Sequence, residues 1–255
     1  MHELRGFVID GRYKQLDMSN AHPRMIASKL HGECKGVIQN YVDNRDSILA
    51  EVQLACECDK RVAKELFLRI MYGGTPRKWC NDHSLKSPPD FVYRFADAIT
   101  GIGAQLESEN DALFEKCKKI AKHKRAALKR QFGDEWRSTA LALYLQHRES
   151  EAIEETIDIL AKRGVTVVGI IHDSVIVPAS CNVDVELIND AVCEKFNLEF
   201  KFKYEEFEKD QEWYNTLVEG SDYNDNGRPD LNELEQAIVE ALSLIHISEP
   251  TRLGM

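Results

Sequence analysis

The chain has 255 residues, 43% hydrophobic and 30% charged, with a formal net charge of -10. This is the length of one large domain or one and a half ordinary ones, and the composition of a soluble globular chain, which excludes fibrous and low-complexity classes. No apolar run is long enough to span a bilayer and no secretory signal opens the chain, so no membrane partner is expected.

The seven cysteines are an odd number without disulfide-framework spacing. They point to a reducing compartment and an intracellular protein, cytoplasmic or inside a host cell, rather than a secreted one. The charge is uneven. Residues 199–240 hold 13 Asp and Glu against 4 Lys and Arg, so this stretch carries about -9 of the total. The body is close to neutral and contains a basic block. Residues 243–255 (Ser-Leu-Ile-His-Ile-Ser-Glu-Pro-Thr-Arg-Leu-Gly-Met) read as translated adaptor sequence and are set aside. The expectation is then that the natural C-terminus is missing and that the N-terminus is incomplete.

In chain order, Gly6–Ile9 and Tyr13–Met18 read as strands, with Asp10-Gly11 as the turn between them. Asp17 falls at a strand-to-helix junction, because Pro23 suits the first turn of a helix through Met25, Ile26 and Leu30. Arg45 to Met71 reads as helical, with a break near Cys56–Asp59. Lys60, Arg61 and Lys64 fall on neighbouring turns there, and their charges can converge on one side. Tyr72-Gly73-Gly74 ends the helix. The alternative for the three cations is a solvated charged face.

Thr75 to Pro89, with three prolines, reads as a loop. Phe91–Ala104 and Asn110–Gln131 read as helices. The second carries Lys116, Lys118, Lys119, Lys122, Lys124, Arg125, Lys129 and Arg130, a density suited to a phosphate backbone or, equally, to a solvated helix. Ser138–Arg163 reads as one long amphipathic helix or a coupled pair, with Gln146, Glu149 and Glu151 as polar residues on or near it. After it, Gly164 to Pro178 reads as a β-hairpin with His172-Asp173-Ser174 at its tip. An aspartate fixed at the end of a buried ribbon needs charge compensation, commonly a divalent metal with a second carboxylate. Val183–Phe196 then reads as a helix and Leu198–Tyr204 as a strand. The order is mixed α+β rather than a regular βαβ series.

Three segments together resemble the family A polymerases, the group of bacterial repair DNA polymerases and single-subunit phage RNA polymerases. The segment Asp17-Met18-Ser19-Asn20-Ala21-His22-Pro23-Arg24 keeps the Asp, Ser and Arg of the first family motif. Lys60, Arg61, Lys64, Tyr72 and Gly73 keep the spacing of the second, a fingers helix. His172-Asp173-Ser174 matches the third, a hairpin carrying His-Asp. The likeness covers about Tyr13 to Glu206.

The resemblance implies a polymerase palm, an antiparallel sheet carrying the motif hairpin, plus helical fingers. Residues 1–44 would begin the palm, 45–135 form a fingers-like insertion, 136–206 complete the palm, and 207–242 form an acidic helical tail. It implies nucleotidyl transfer to a primer 3′-OH using two Mg²⁺ ions held by Asp17 and Asp173. Lys64 would neutralise the triphosphate and serve as general acid. Lys60, Arg61, Tyr72, Gly73, His22 and Arg24 would bind nucleotide. His172, Ser174, Gln146, Lys118, Lys119 and Lys122 would contact primer or template. Capping or turn-forming aspartates are the bland alternative for Asp17 and Asp173.

The family's DNA polymerases place Glu where His22 stands, against the ribose 2′-OH. A bulky His leans toward deoxynucleotides, whereas Ser174 leans toward the RNA-polymerase branch. A DNA polymerase is the favoured outcome. Primer-template nucleic acid and nucleoside triphosphates are the expected partners, with further polymerase domains absent from this chain. The other reading is a catalytically silent, polymerase-like nucleic-acid-binding module with a calcium-binding tail.

That tail resembles an EF-hand loop from Asp222 to Glu233. Asp222, Asn224, Asn226, Arg228, Asp230 and Glu233 fall at the ligand positions for Ca²⁺ and Gly227 at the sharp turn. Pro229 departs from the pattern, and an Asx-rich turn is the alternative. Cys56, Cys58, Cys80 and His83 can be assembled into a zinc set, but their spacing favours buried, neutral thiols.

Overall fold

The apolar run before Pro178 forms the centre of a small sheet. In the computed structural model, which describes residues 12–127 and 136–205, four strands run antiparallel. They are β1 (Tyr13–Met18), β2 (Gly169–Ile171), β3 (Ser174–Pro178) and β4 (Phe202–Glu205), in the spatial order β2-β3-β1-β4. Strand β3 is interior, and Ser174 through Val177 are all buried. A central strand covered on both faces is continuously apolar, which is why Val175-Ile176-Val177 shows no alternation. Strand β1 alternates instead, burying Leu16 and Met18 while Gln15 and Asp17 stay half-buried. The N-terminal strand expected at Gly6–Ile9, Lys129 and Arg130, the acidic tail with its EF-hand-like loop and residues 243–255 lie outside the described residues.

The chain divides into two units. The first holds the sheet: described residues 12–18, 155–188 and 202–205. The second, Ser19–Glu154 with Asn189–Lys201, is helical. Its helices are α1 (Ala21–Lys29), α2 (Gly32–Asp43), α3 (Arg45–Cys56), α4 (Lys60–Met71), α5 (Pro76–His83), α6 (Asp90–Ser108) and α7 (Ala112–Ala127). Two further helices run from one unit into the other in sequence, α8 (Trp136–Lys162) and α9 (Val185–Phe196). The fold is therefore mixed α+β. Among the described residues no helix is long and apolar enough to cross a membrane.

The helical unit closes around Tyr41, Phe67 and Phe95. Their ring centroids lie 4.6 Å (Tyr41–Phe67), 4.9 Å (Tyr41–Phe95) and 5.1 Å (Phe67–Phe95) apart. Tilted and edge-on packing at such distances adds to the burial of large rings. Helix α4 contributes Ala63, Leu66, Phe67, Ile70 and Met71, all buried at helical spacing, and leaves Lys60, Arg61 and Lys64 exposed. Asp59 caps its start by accepting the Val62 N–H at 2.8 Å.

Two differences from the sequence reading have local causes. The proline-rich stretch expected as a loop contains α5, because Thr75 accepts the Lys78 N–H at 3.2 Å and Pro76 occupies the first turn, where its missing N–H costs nothing. The hairpin is shorter than expected. Gly164, at φ +74, and Val165 spend their N–H groups closing α8, on the carbonyls of Ala161 and Leu160. The ladder therefore starts only near Val168.

Gly73 ends α4 at φ +88, and the Gly74 N–H returns to the Arg69 carbonyl at 2.7 Å. A Cβ at Gly73 would lie 2.4 Å from Ser138 Cβ, whereas one at Gly164 would meet nothing within 4 Å. Both positions are strained for an L side chain, but only the first is also blocked. Gly164→Ala should cost about 1 kcal/mol from the backbone. Gly73→Ala should cost about 1–3 kcal/mol more than that from overpacking. Urea unfolding of the two variants checks the order, and equal costs would contradict it.

Candidate functional site

In the sheet unit, Asp17 is the next-to-last residue of β1 and pairs in register with Ser174, the first of β3. The buried Ser174 hydroxyl donates to Asp17 Oδ1 at 2.7 Å, and Gln15 Nε2 donates to that hydroxyl oxygen at 3.0 Å. A hydroxyl that accepts from one side and donates to the other is held in one rotamer, and it fixes the carboxylate in turn. Asp173 stands in the two-residue turn between β2 and β3, and its carbonyl accepts the Met18 N–H at 3.2 Å. Asp17, on β1, and Asp173, in the turn that leads into the adjacent β3, thus sit at the same end of the sheet, both half-buried. His172 opens the turn at φ +53 and is exposed.

Among the described residues no group of three or more His, Cys, Asp and Glu is placed to hold a metal ion. Two carboxylates alone match a Mg²⁺ site that takes its remaining ligands from water and substrate phosphate. The donor set at Asp17 and Asp173 therefore fits Mg²⁺ on chemistry. It does not fit a cation that needs a complete protein cage.

In the helical unit, the His22 ring is 8% exposed and contacted at both nitrogens. Its Nδ1 lies 2.9 Å from the Tyr72 hydroxyl and its Nε2 2.9 Å from Glu149 Oε2. The second approach is off-line for a hydrogen bond, so it is an electrostatic contact. The tautomer decides whether Nδ1 accepts from the tyrosine hydroxyl or donates to it. Nothing in the sequence paired His22 with Glu149, which the chain reading placed only as a polar residue of α8.

The other expected site residues fall as follows. Lys60 pairs with Asp46 at 2.9 Å, a contact that holds the Asp46 carboxyl below the usual range. Arg61 and Lys64 are exposed and pair with no carboxylate among the described residues. Arg24 is engaged by the Ser19 carbonyl at 3.1 Å and by Glu199. Gln146 is exposed on α8. Lys118 lies between Glu107 at 2.7 Å and Glu115 at 2.9 Å, while Lys119 and Lys122 are exposed. Cys56, Cys58 and Cys80 are free thiols. Burial pushes all three up, Cys56 to about 11, so they are neutral near pH 7.

No family model matches the chain. It is 26% identical to the "Putative helicase V13" of Sputnik virophage over 120 residues, which are 45% of this chain and 15% of that protein. Among solved structures it is similar to the "POL domain of Pol1 from M. smegmatis complex with DNA primer-template and dNTP". That match has a TM-score of 0.44 and 11% identity, and covers 77% of this chain and 40% of the other. The chain spans 15% of the first relative and 40% of the second.

The His22 contacts make one expectation. Tyr72→Phe removes the hydroxyl and leaves a buried ring nitrogen without that partner. It should destabilise the protein by about 1–3 kcal/mol, read from the midpoint of denaturant unfolding. An unchanged midpoint would show that the contact contributes nothing.

Proposed function

We propose that the chain is the core of a template-directed nucleotidyltransferase that extends a primer 3′-OH, with DNA the expected product. The observation that carries the reading is the pairing of Asp17 with Ser174 beside Asp173, which brings two half-buried carboxylates to one end of adjacent strands. They are joined by the order of the three motifs along the sequence.

The reaction is an in-line displacement. The primer hydroxyl oxygen bonds to the α-phosphorus, the bond to the bridging oxygen of pyrophosphate breaks, and the hydroxyl proton is lost. Asp17 and Asp173 would hold Mg²⁺, which when bound supplies charge neutralisation for the phosphates and acidifies the attacking hydroxyl. Ser174 and Gln15 hold the Asp17 carboxylate in place, so less reorganisation is needed as charge develops. Lys64, assisted by Arg61 and Lys60, supplies positive charge for the triphosphate, and its ammonium is the donor assigned to the leaving pyrophosphate. Arg24, Tyr72 and Gly73 belong to nucleotide binding in the same reading. His172 and Gln146 belong to the primer and template; Ser174, expected with them, is buried with its hydroxyl spent on Asp17 and Gln15, and acts through the Asp17 carboxylate instead.

His22 is the residue assigned to sugar choice. A ring contacted at both nitrogens is a fixed wall rather than a mobile side chain. A wall of that size favours a deoxyribose over a ribose.

The test is primer extension by the full chain with Mg²⁺. Asp173→Ala and Asp17→Ala should each lower the rate by about 100- to 1000-fold or more while circular dichroism stays that of the parent. Extension that persists in Asp17→Ala would overturn the metal assignment. Absence of extension by the parent with every template and nucleotide set would overturn the enzyme.

A further inference from the structure

Helix α7 separates its cations into two groups. Phe114, Cys117 and Ala121 form its buried face. Lys118, beside that face, is paired with Glu107 and Glu115, and Glu107 also takes Arg137 at 3.1 Å. These charges are neutralised inside the protein. Lys116, Lys119, Lys122 and Lys124 are exposed, and none pairs with a carboxylate among the described residues. Beneath them Trp136 is only 9% exposed, with the cations of Lys122, Arg137 and Lys118 at 4.5, 5.0 and 5.5 Å from its ring. The indole face attracts cations and fixes the base of the helix.

We propose that α7 is a docking surface for a nucleic-acid backbone, acting through Lys116, Lys119, Lys122 and Lys124, independent of base sequence and of the Asp17 and Asp173 chemistry. Lys116, Lys119 and Lys122 follow at three-residue steps and trace a slanted line on the helix, and Lys124, about 80° round from Lys116 on the other side, marks the opposite edge of the surface. From Lys116 to Lys124 the helix rises ~12 Å. A duplex carries about one charge per 1.7 Å of axis, so this span meets several phosphates. Trp136 is covered by the lysines and is not offered for stacking, so the surface reads phosphate and not bases. An anionic membrane is the weaker partner. An interfacial helix buries an apolar face in lipid, and here that face is inside the protein, leaving Ile120 (39% exposed) as the one large apolar side chain on the exposed side among the described residues. The overall charge of -10 does not oppose the surface, because most of it belongs to residues 199–240.

The test measures binding of the full chain to a labelled duplex by fluorescence anisotropy across a salt series, without nucleotide. Lys116→Gln, Lys119→Gln and Lys124→Gln are combined in one variant, leaving Lys122 on Trp136. Each neutralised phosphate contact contributes about 0.9 to the slope of log K against log salt, so the variant should lose about 2–3 from the parent slope. Lys35→Gln, an exposed lysine of α2 outside this surface, should leave the slope unchanged. Circular dichroism confirms that each variant is folded. An unchanged slope in the triple variant would overturn the proposal, as would an equal loss in Lys35→Gln, no duplex binding at low salt, or binding to phosphatidylserine vesicles in preference to the duplex. Failure of primer extension with the slope behaviour intact would leave this surface standing and remove only the enzymatic reading.

Discussion

The register of β1 against β3 is the constraint on which the rest depends. Asp17 faces Ser174 because Tyr13 faces Pro178 and each pair between follows in step. A slip of one residue would turn Leu16 and Met18 out of the core and carry Asp17 into it. Burial of those two side chains therefore specifies where the carboxylate stands, at a distance from any chemistry. The Ser174 hydroxyl adds the last increment by fixing the carboxylate within its position. Packing sets the place and a single hydrogen bond sets the angle.

The helical unit uses a similar division of labour. In α4 one face carries aromatic and aliphatic packing and the other carries Lys60, Arg61 and Lys64, of which only Lys60 is paired among the described residues, so charge is presented without being buried. The ends of the helix are defined separately, by Asp59 at the start and the Gly73-Gly74 closure at the finish. Tyr72 sits just at that closure, and the Nδ1 side of His22 meets it there. A buried polar ring is costly without partners. Here two partners come from α8 and from the end of α4, so three separate stretches of chain have to be correctly folded before His22 is satisfied.

Much of this was legible in the residues, for reasons that can be stated. Tyr13–Met18 alternates and is bounded by turn-formers, and its limits are those of β1. Lys60–Met71 has a strong apolar stripe between an aspartate and two glycines, and it is α4. The hairpin was legible as to its tip and not as to its length, because backbone groups at Gly164 and Val165 are consumed in closing α8, an allocation that composition does not encode. Strand β4 begins at Phe202 rather than Leu198 for a related reason. The Phe200 N–H and carbonyl are taken by Cys193 Sγ, and the Glu199 N–H by Ser28 Oγ. The contacts of His22 with Glu149 and of Arg24 with Glu199 had no signal at all. They join residues far apart in sequence, and charged side chains carry no periodicity that identifies their partners.

The separation of Asp17 from Ser174, 157 positions along the chain, has a consequence in time. Strand β1 leaves the ribosome well before its partners in the sheet, because all nine helices but one lie between it and β2 among the described residues. At about 5–20 residues per second, β1 waits roughly 8–30 s before β3 exists to pair with it. During that interval Leu16 and Met18 have no sheet to enter, while the helices from Ala21 onward can already condense. The two aspartates are therefore brought together only once the hairpin has been made, long after Asp17 itself, and the sheet that holds them cannot form before that point.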